Sequence, residues 1–234
     1  MFFPFWIETD REWEYCQRFP VMVLVLTLLC LGVHIAVTGQ LAPAEQADLV
    51  YRFGVVRTDF RWYSIFTCAF LHGGWPHLIG NVYFLLIYGA SLERLLGSCR
   101  FTILYGVGAL VSMLLHLATL SPFHADVPAI GASGAISAVL GAFFVLLPTA
   151  KVRCLVFFFL RPLIIPVPAS ILLGVWFLVQ LYSSLEMGGG GLQVAFWAHV
   201  GGFLAGVALL SVLRAFSPGV TRRSEGDRDG ERPD

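Results

Sequence analysis

The 234-residue sequence has little charge: only 13% of its residues are Asp, Glu, Lys or Arg, and its formal net charge is zero. Without a basic surplus there is no electrostatic case for nucleic acid as a partner, nor for general attraction to acidic surfaces. The five cysteines, Cys16, Cys30, Cys68, Cys99 and Cys154, are scattered with no CxxC pair, so they read as unpaired packing residues. HExxH, paired Asp motifs and Cys–His clusters are also missing, and neither a metal nor another cofactor is expected. The strict alternation of a transmembrane barrel is absent. So is a basic leader before a first apolar segment, which argues against a cleaved signal peptide.

What fills the chain instead is apolar. Hydrophobic residues make up 57% and mean hydropathy is +0.78, whereas soluble domains hold roughly 45–50% apolar residues. Six stretches approach the roughly 20 residues that a helix needs to cross a bilayer: 20–38, 75–96, 101–120, 131–148, 167–185 and 193–213. The expected fold is an all-α membrane bundle of six transmembrane helices over 20–213. An interfacial N-terminal segment, 1–19, precedes it, and a charged, disordered tail, 214–234, follows. Leu155–Leu160 is apolar but broken by Pro162, Pro166 and Pro168, and it reads as an interfacial or re-entrant connection. Of the 15 Lys and Arg residues, Arg52, Arg57 and Arg61 alone lie in the first outer segment. The positive-inside rule therefore puts both termini in the cytoplasm, and a bacterial inner membrane is the expected location. The outer segment 39–73 mixes those arginines with Leu49, Phe53, Phe60, Trp62 and Tyr63, a composition suited either to a half-embedded outer loop or to an ordinary amphipathic one.

Ionisable groups inside membrane spans are costly and raise a functional hypothesis. His77 and Asn81, four residues apart, share one face near the outer end of the second span. Ser133 opens the fourth span and His199 stands near the start of the sixth, so all four fall at a similar depth. Gly131, Gly134, Ala138, Gly141 and Ala142 recur at helical spacing on the fourth span, and Gly202 and Gly206 follow His199 on the sixth. Such small residues serve helix packing, and the same close approach brings a hydroxyl and an imidazole within reach for general-base activation. Glu93 is the one acid inside a span, at the opposite side, so any such site is a Ser–His dyad without a carboxylate. Asn81, His77 and the N–H of Ser133 are then the candidate oxyanion donors. His34 and His116 read as packing partners within the bundle, and His72 as loop architecture or support for the site.

His72-Gly-Gly-Trp-Pro-His77-Leu-Ile-Gly-Asn81, Gly131-Ala-Ser-Gly134 and Ala198-His199 with Gly202 and Gly206 together resemble the rhomboid intramembrane serine proteases. The resemblance runs over about 52–206 and lies in the order of the motifs on separate spans. It implies a rhomboid-like bundle in which Ser133 is nucleophile and His199 is base and then acid, with His77 and Asn81 lining the oxyanion hole. It implies cleavage of single-span membrane proteins near the outer face, so that the partners are substrate transmembrane helices and the lipid bilayer. It also implies a half-embedded first outer loop, with the fifth span as substrate gate and Met187–Leu192 as a cap made mobile by Gly188–Gly191. One departure stands out: Ser137 occupies the position where many rhomboids carry an aromatic residue stacked on the catalytic histidine. Orientation of His199 then falls to Trp197, Phe196 or Ser137 itself. The alternative function is a non-proteolytic relative that binds unstable transmembrane helices.

Overall fold

The computed structural model describes residues 2–8, 18–158, 161–186 and 195–216. The Met187–Leu192 cap and the tail from 217 lie outside the described residues. Nine α-helices and three strands are described. In chain order they are β1 (Phe2–Glu8), α1 (Val21–Gln40), α2 (Pro43–Phe53), α3 (Ser64–Thr67), α4 (Trp75–Phe84), α5 (Ala90–Leu96), α6 (Ser98–Thr119), α7 (Ser133–Leu146), β2 (Lys151–Phe158), β3 (Arg161–Pro168), α8 (Ala169–Glu186) and α9 (Phe196–Phe216). Helices α1, α6, α8 and most of α9 are each long and apolar enough to cross a membrane. A π-helical turn, Leu85–Gly89, joins α4 to α5, so the chain stays helical from Trp75 to Leu96.

Helix α7 is the centre of the fold. Every residue from Gly134 to Phe143 is buried, as expected of a helix that is apolar on all sides. Its small residues determine how closely its neighbours approach. A Cβ added at Gly202 of α9 would stand 2.1 Å from the Gly134 carbonyl oxygen, and one at Gly206 would stand 1.9 Å from that of Ala138. From α7, a Cβ at Gly141 would meet the Phe203 oxygen at 2.0 Å, and one at Gly134 would meet Ser112 Oγ of α6 at 2.2 Å. Backbone-to-backbone contact of this kind suits a lipid environment, where association rests on van der Waals packing.

A buried carboxylate fixes the other end. Glu93, 1% exposed, accepts hydrogen bonds from the Met22 N–H at 2.9 Å, the Val23 N–H at 2.8 Å and Ser98 Oγ at 2.6 Å. It thereby takes up N–H groups in the first turn of α1, which have no acceptor inside their own helix, and its charge suits the positive end of the helix dipole.

The fold is mostly helical but not all-α. β1, β2 and β3 form an antiparallel sheet in that order, with a register shift between Pro4 and Trp6. The expected re-entrant connection is therefore a hairpin, and part of the expected interfacial N-terminal segment is its third strand. Val152 and Cys154 are both fully buried, alternating with Lys151 and Arg153, and this period of two is the strand signal. Pro162, Pro166 and Pro168 share one parity along β3. Their missing N–H groups thus lie on a single edge, where no described strand pairs. Among the cysteines, Cys30, Cys68 and Cys154 are free and buried, whereas Cys99 is free but exposed.

The first outer segment contains α2, whose start carries Pro43 and a Glu45 carboxylate that accepts from the Ala42 N–H at 2.8 Å. Behind it, Val55 pairs with Ala129 through a two-way backbone bridge, and Val55 and Val56 are buried. Arg57 does not reach outward: its guanidinium donates to the Leu120 carbonyl at the end of α6, at 2.5 Å. The segment is thus tied to the loop that leads into α7. Phe60 and Trp62 remain exposed.

Candidate active site

Ser133 is the first residue of α7, where the helix leaves N–H groups without intrahelical acceptors. Two residues earlier Gly131 has φ +113°, which a side chain would strain, and its N–H donates to the Cys68 carbonyl at 2.8 Å. A Cβ on Gly131 would stand 2.7 Å from the His77 ring and 3.4 Å from Asn81 Nδ2. The glycine therefore lets the turn before Ser133 rest directly on the two polar groups of α4. Gly134, Gly202 and Gly206 then press α7, α6 and α9 together, as described above.

His199 occupies the first turn of α9 and is 8% exposed. Its Nε2 lies 2.9 Å from Ser133 Oγ, and its Nδ1 lies 2.8 Å from Oε1 of Gln180 on α8. Trp176 lies alongside the imidazole with centroids 6.0 Å apart, and Phe196 meets it edge-on at 6.4 Å. Of the expected orienting groups, Phe196 therefore makes contact with the ring. Ser137 instead donates back to the Ser133 carbonyl at 2.7 Å, which commits its hydroxyl to its own helix. Gln180 and Trp176 were not anticipated from sequence. A lone amide in an apolar span was the available signal for Gln180, but nothing local ties it to His199, 19 residues later in the chain.

Asn81 is 9% exposed, and its Nδ2 has no hydrogen-bond partner among the described residues. A buried donor left unpaired costs roughly 1–3 kcal/mol and calls for an explanation. His72, in the turn ahead of α4, meets His77 edge-on with centroids 5.2 Å apart, and neither of its ring nitrogens has a hydrogen-bond partner among the described residues. Burial, with the neighbouring His77 as a secondary cause, pushes His72 down from 6.5 to about 4, so it is neutral at pH 7. His34 of α1 stacks edge-on against Trp75 at 4.8 Å and leaves its Nε2 unpaired, so it packs by ring contact. The groove along α2, lined by Leu41, Leu49 and Phe53, shares no residue with this constellation.

The family model described as a rhomboid domain matches residues 59–216, which takes in Ser133, His199, His77 and Asn81. Among curated proteins the chain is 30% identical over 213 residues to Rhomboid protein 1, mitochondrial, of Saccharomyces cerevisiae, covering 87% of this chain and 57% of that protein. It is 32% identical over 163 residues to RHOMBOID-like protein 5 of Arabidopsis thaliana, covering 68% and 46%. The chain thus spans about half the length of these relatives.

Proposed function

The chain belongs to the rhomboid family, and from that premise we propose that it is an intramembrane serine protease acting through Ser133 and His199. The observation that carries the reading is the 2.9 Å contact between Ser133 Oγ and His199 Nε2, within the reach that nucleophile activation requires. His199 takes the hydroxyl proton as Oγ attacks the scissile carbonyl, and returns it to the leaving amine. Water then attacks the acyl-enzyme with the same imidazole as base. The tetrahedral intermediate places negative charge beside the entry to α7. The unpaired Asn81 Nδ2, the His77 ring and the Ser133 N–H are the donors for it. An orphan donor costs the free enzyme stability and is satisfied when that charge forms, which is the asymmetry catalysis needs.

The substrates on this reading are single-span membrane proteins whose helix unwinds near the outer face. A helical segment hides its carbonyls in its own hydrogen bonds, and hydrocarbon gives a freed backbone no partner. On the same reading the helical run Trp75–Leu96 and the 14-residue α7 cross the membrane beside the four longer helices, which makes six crossings with α7 at the centre. Both termini then face the arginine-rich cytoplasmic side of a bacterial inner membrane, with the first outer segment half-sunk in the opposite leaflet. The test is cleavage of a reporter transmembrane substrate by wild type, Ser133→Ala and His199→Ala. Loss in both variants with the fold retained supports the dyad, and retained cleavage in either one refutes it. A wild type that binds the reporter uncut is a helix-binding relative instead.

A further inference from the structure

Helix α8 has two faces. Ile171, Val175, Leu178, Tyr182 and Leu185 are exposed at three- and four-residue steps and form an outward stripe. Leu173, Phe177, Gln180 and Ser184 form the opposite stripe, with Leu173 and Ser184 buried and Phe177 stacked on Phe203 of α9 at 4.7 Å. Gln180 is the one amide on this helix, and an amide at membrane depth is costly unless it is paired. The Ser184 hydroxyl donates to the backbone carbonyls of Gln180 and Leu181, not to the Gln180 amide. The Gln180 side chain goes to His199.

The chemistry of that contact is directional. A neutral imidazole carries one ring proton, and an amide oxygen can only accept. Contact between Gln180 Oε1 and Nδ1 therefore holds the proton on Nδ1 and leaves the Nε2 lone pair facing Ser133 Oγ, which is the tautomer a general base requires. The opposite tautomer would set an N–H against the serine hydroxyl and leave the base unable to take its proton. Among the described residues, the His199 ring has hydrogen bonds to Ser133 and Gln180 alone, and neither comes from a carboxylate.

We propose that Gln180 is a positioning residue for the dyad, so that the seating of α8 against α9 is a condition of a competent imidazole. This rests on the Ser–His reading above. Displacement of α8 breaks the Nδ1 contact and frees the ring to rotate or change tautomer. The helix that borders the site therefore also sets its chemical state.

The experiment compares wild type, Gln180→Leu, Gln180→Glu and Ser133→Ala in reporter cleavage, with kcat and KM resolved across pH and thermal stability measured alongside. Gln180→Leu removes the acceptor at similar volume, and kcat is expected to fall about 10- to 100-fold, the range typical of groups that orient a functional imidazole, with KM little changed. Gln180→Glu keeps an acceptor in place and restores most of kcat. It also moves the acid limb of the kcat/KM profile to higher pH, because a carboxylate favours the imidazolium. A merely structural role would lower thermal stability and leave kcat and the pH profile of the folded protein as in wild type, and that outcome overturns the proposal. If Gln180→Leu does not fold, the Gln180→Glu acid limb decides, and an unmoved limb is the refutation. Cleavage by Ser133→Ala would sink the dyad reading itself, whereas an inert Ser133→Ala beside a fully active Gln180→Leu sinks this step alone.

Discussion

Gly202→Ala is a sharp perturbation of the seam that brings serine and histidine together. The added Cβ would sit 2.1 Å from the Gly134 carbonyl oxygen and 3.0 Å from the Ser137 Cβ, so neither neighbour is the free end of a flexible side chain. Reaching an ordinary contact of 3.4 Å requires the two helices to part by about 1.3 Å, and overpacking on this scale costs roughly 1–3 kcal/mol. His199 lies three residues before Gly202, less than one helical turn away on the same face. The separation is therefore felt at the 2.9 Å contact with Ser133 almost undiminished. A 1 Å misplacement of catalytic groups can lower the rate by about 100-fold, well beyond what the stability loss alone removes from the folded population. The assay is thermal unfolding in detergent beside the initial rate of reporter cleavage per folded molecule. A Gly202→Ala protein with wild-type unfolding temperature and rate would refute the claim that this seam sets the dyad distance.

Two further substitutions separate stability from chemistry at opposite ends of the molecule. Asn81→Ala removes a donor that has no partner in the free protein, so thermal stability stays at or above wild type while kcat/KM falls by roughly 10²–10³. A fall in stability without a fall in rate would return Asn81 to packing. Glu93→Ala strips three donors of a charged acceptor and is expected to lower stability by about 3 kcal/mol or more, measured by thermal or denaturant unfolding. Because Glu93 lies at the far end from Ser133, the folded fraction keeps its cleavage rate, and a specific rate loss would contradict that separation.

The sequence carried the site further than the fold. Ser133, His199, His77 and Asn81 are costly residues in apolar stretches, and the glycines beside them recur at helical spacing, so both their types and their depth can be read directly. The sheet is harder to foresee, because β1 pairs with a strand 143 to 154 residues later and that pairing leaves no local mark. Prolines in β3 also resemble helix breaks until its edge position is known. The π-helical turn at Leu85–Gly89 likewise has no sequence signal that distinguishes it from the helix on either side. Gln180 has no local mark of its role, because only the packing of α8 against α9 brings its amide to His199.

Reaction of the folded, purified protein with a fluorophosphonate, followed by mass spectrometry of the modified peptide, tests the Ser133–His199 dyad at the nucleophile itself. A single adduct on Ser133 is expected in wild type and none in His199→Ala, because the hydroxyl is a nucleophile only while the imidazole can take its proton. An unlabelled wild type beside a labelled active serine protease, or an equal adduct in His199→Ala, would contradict it.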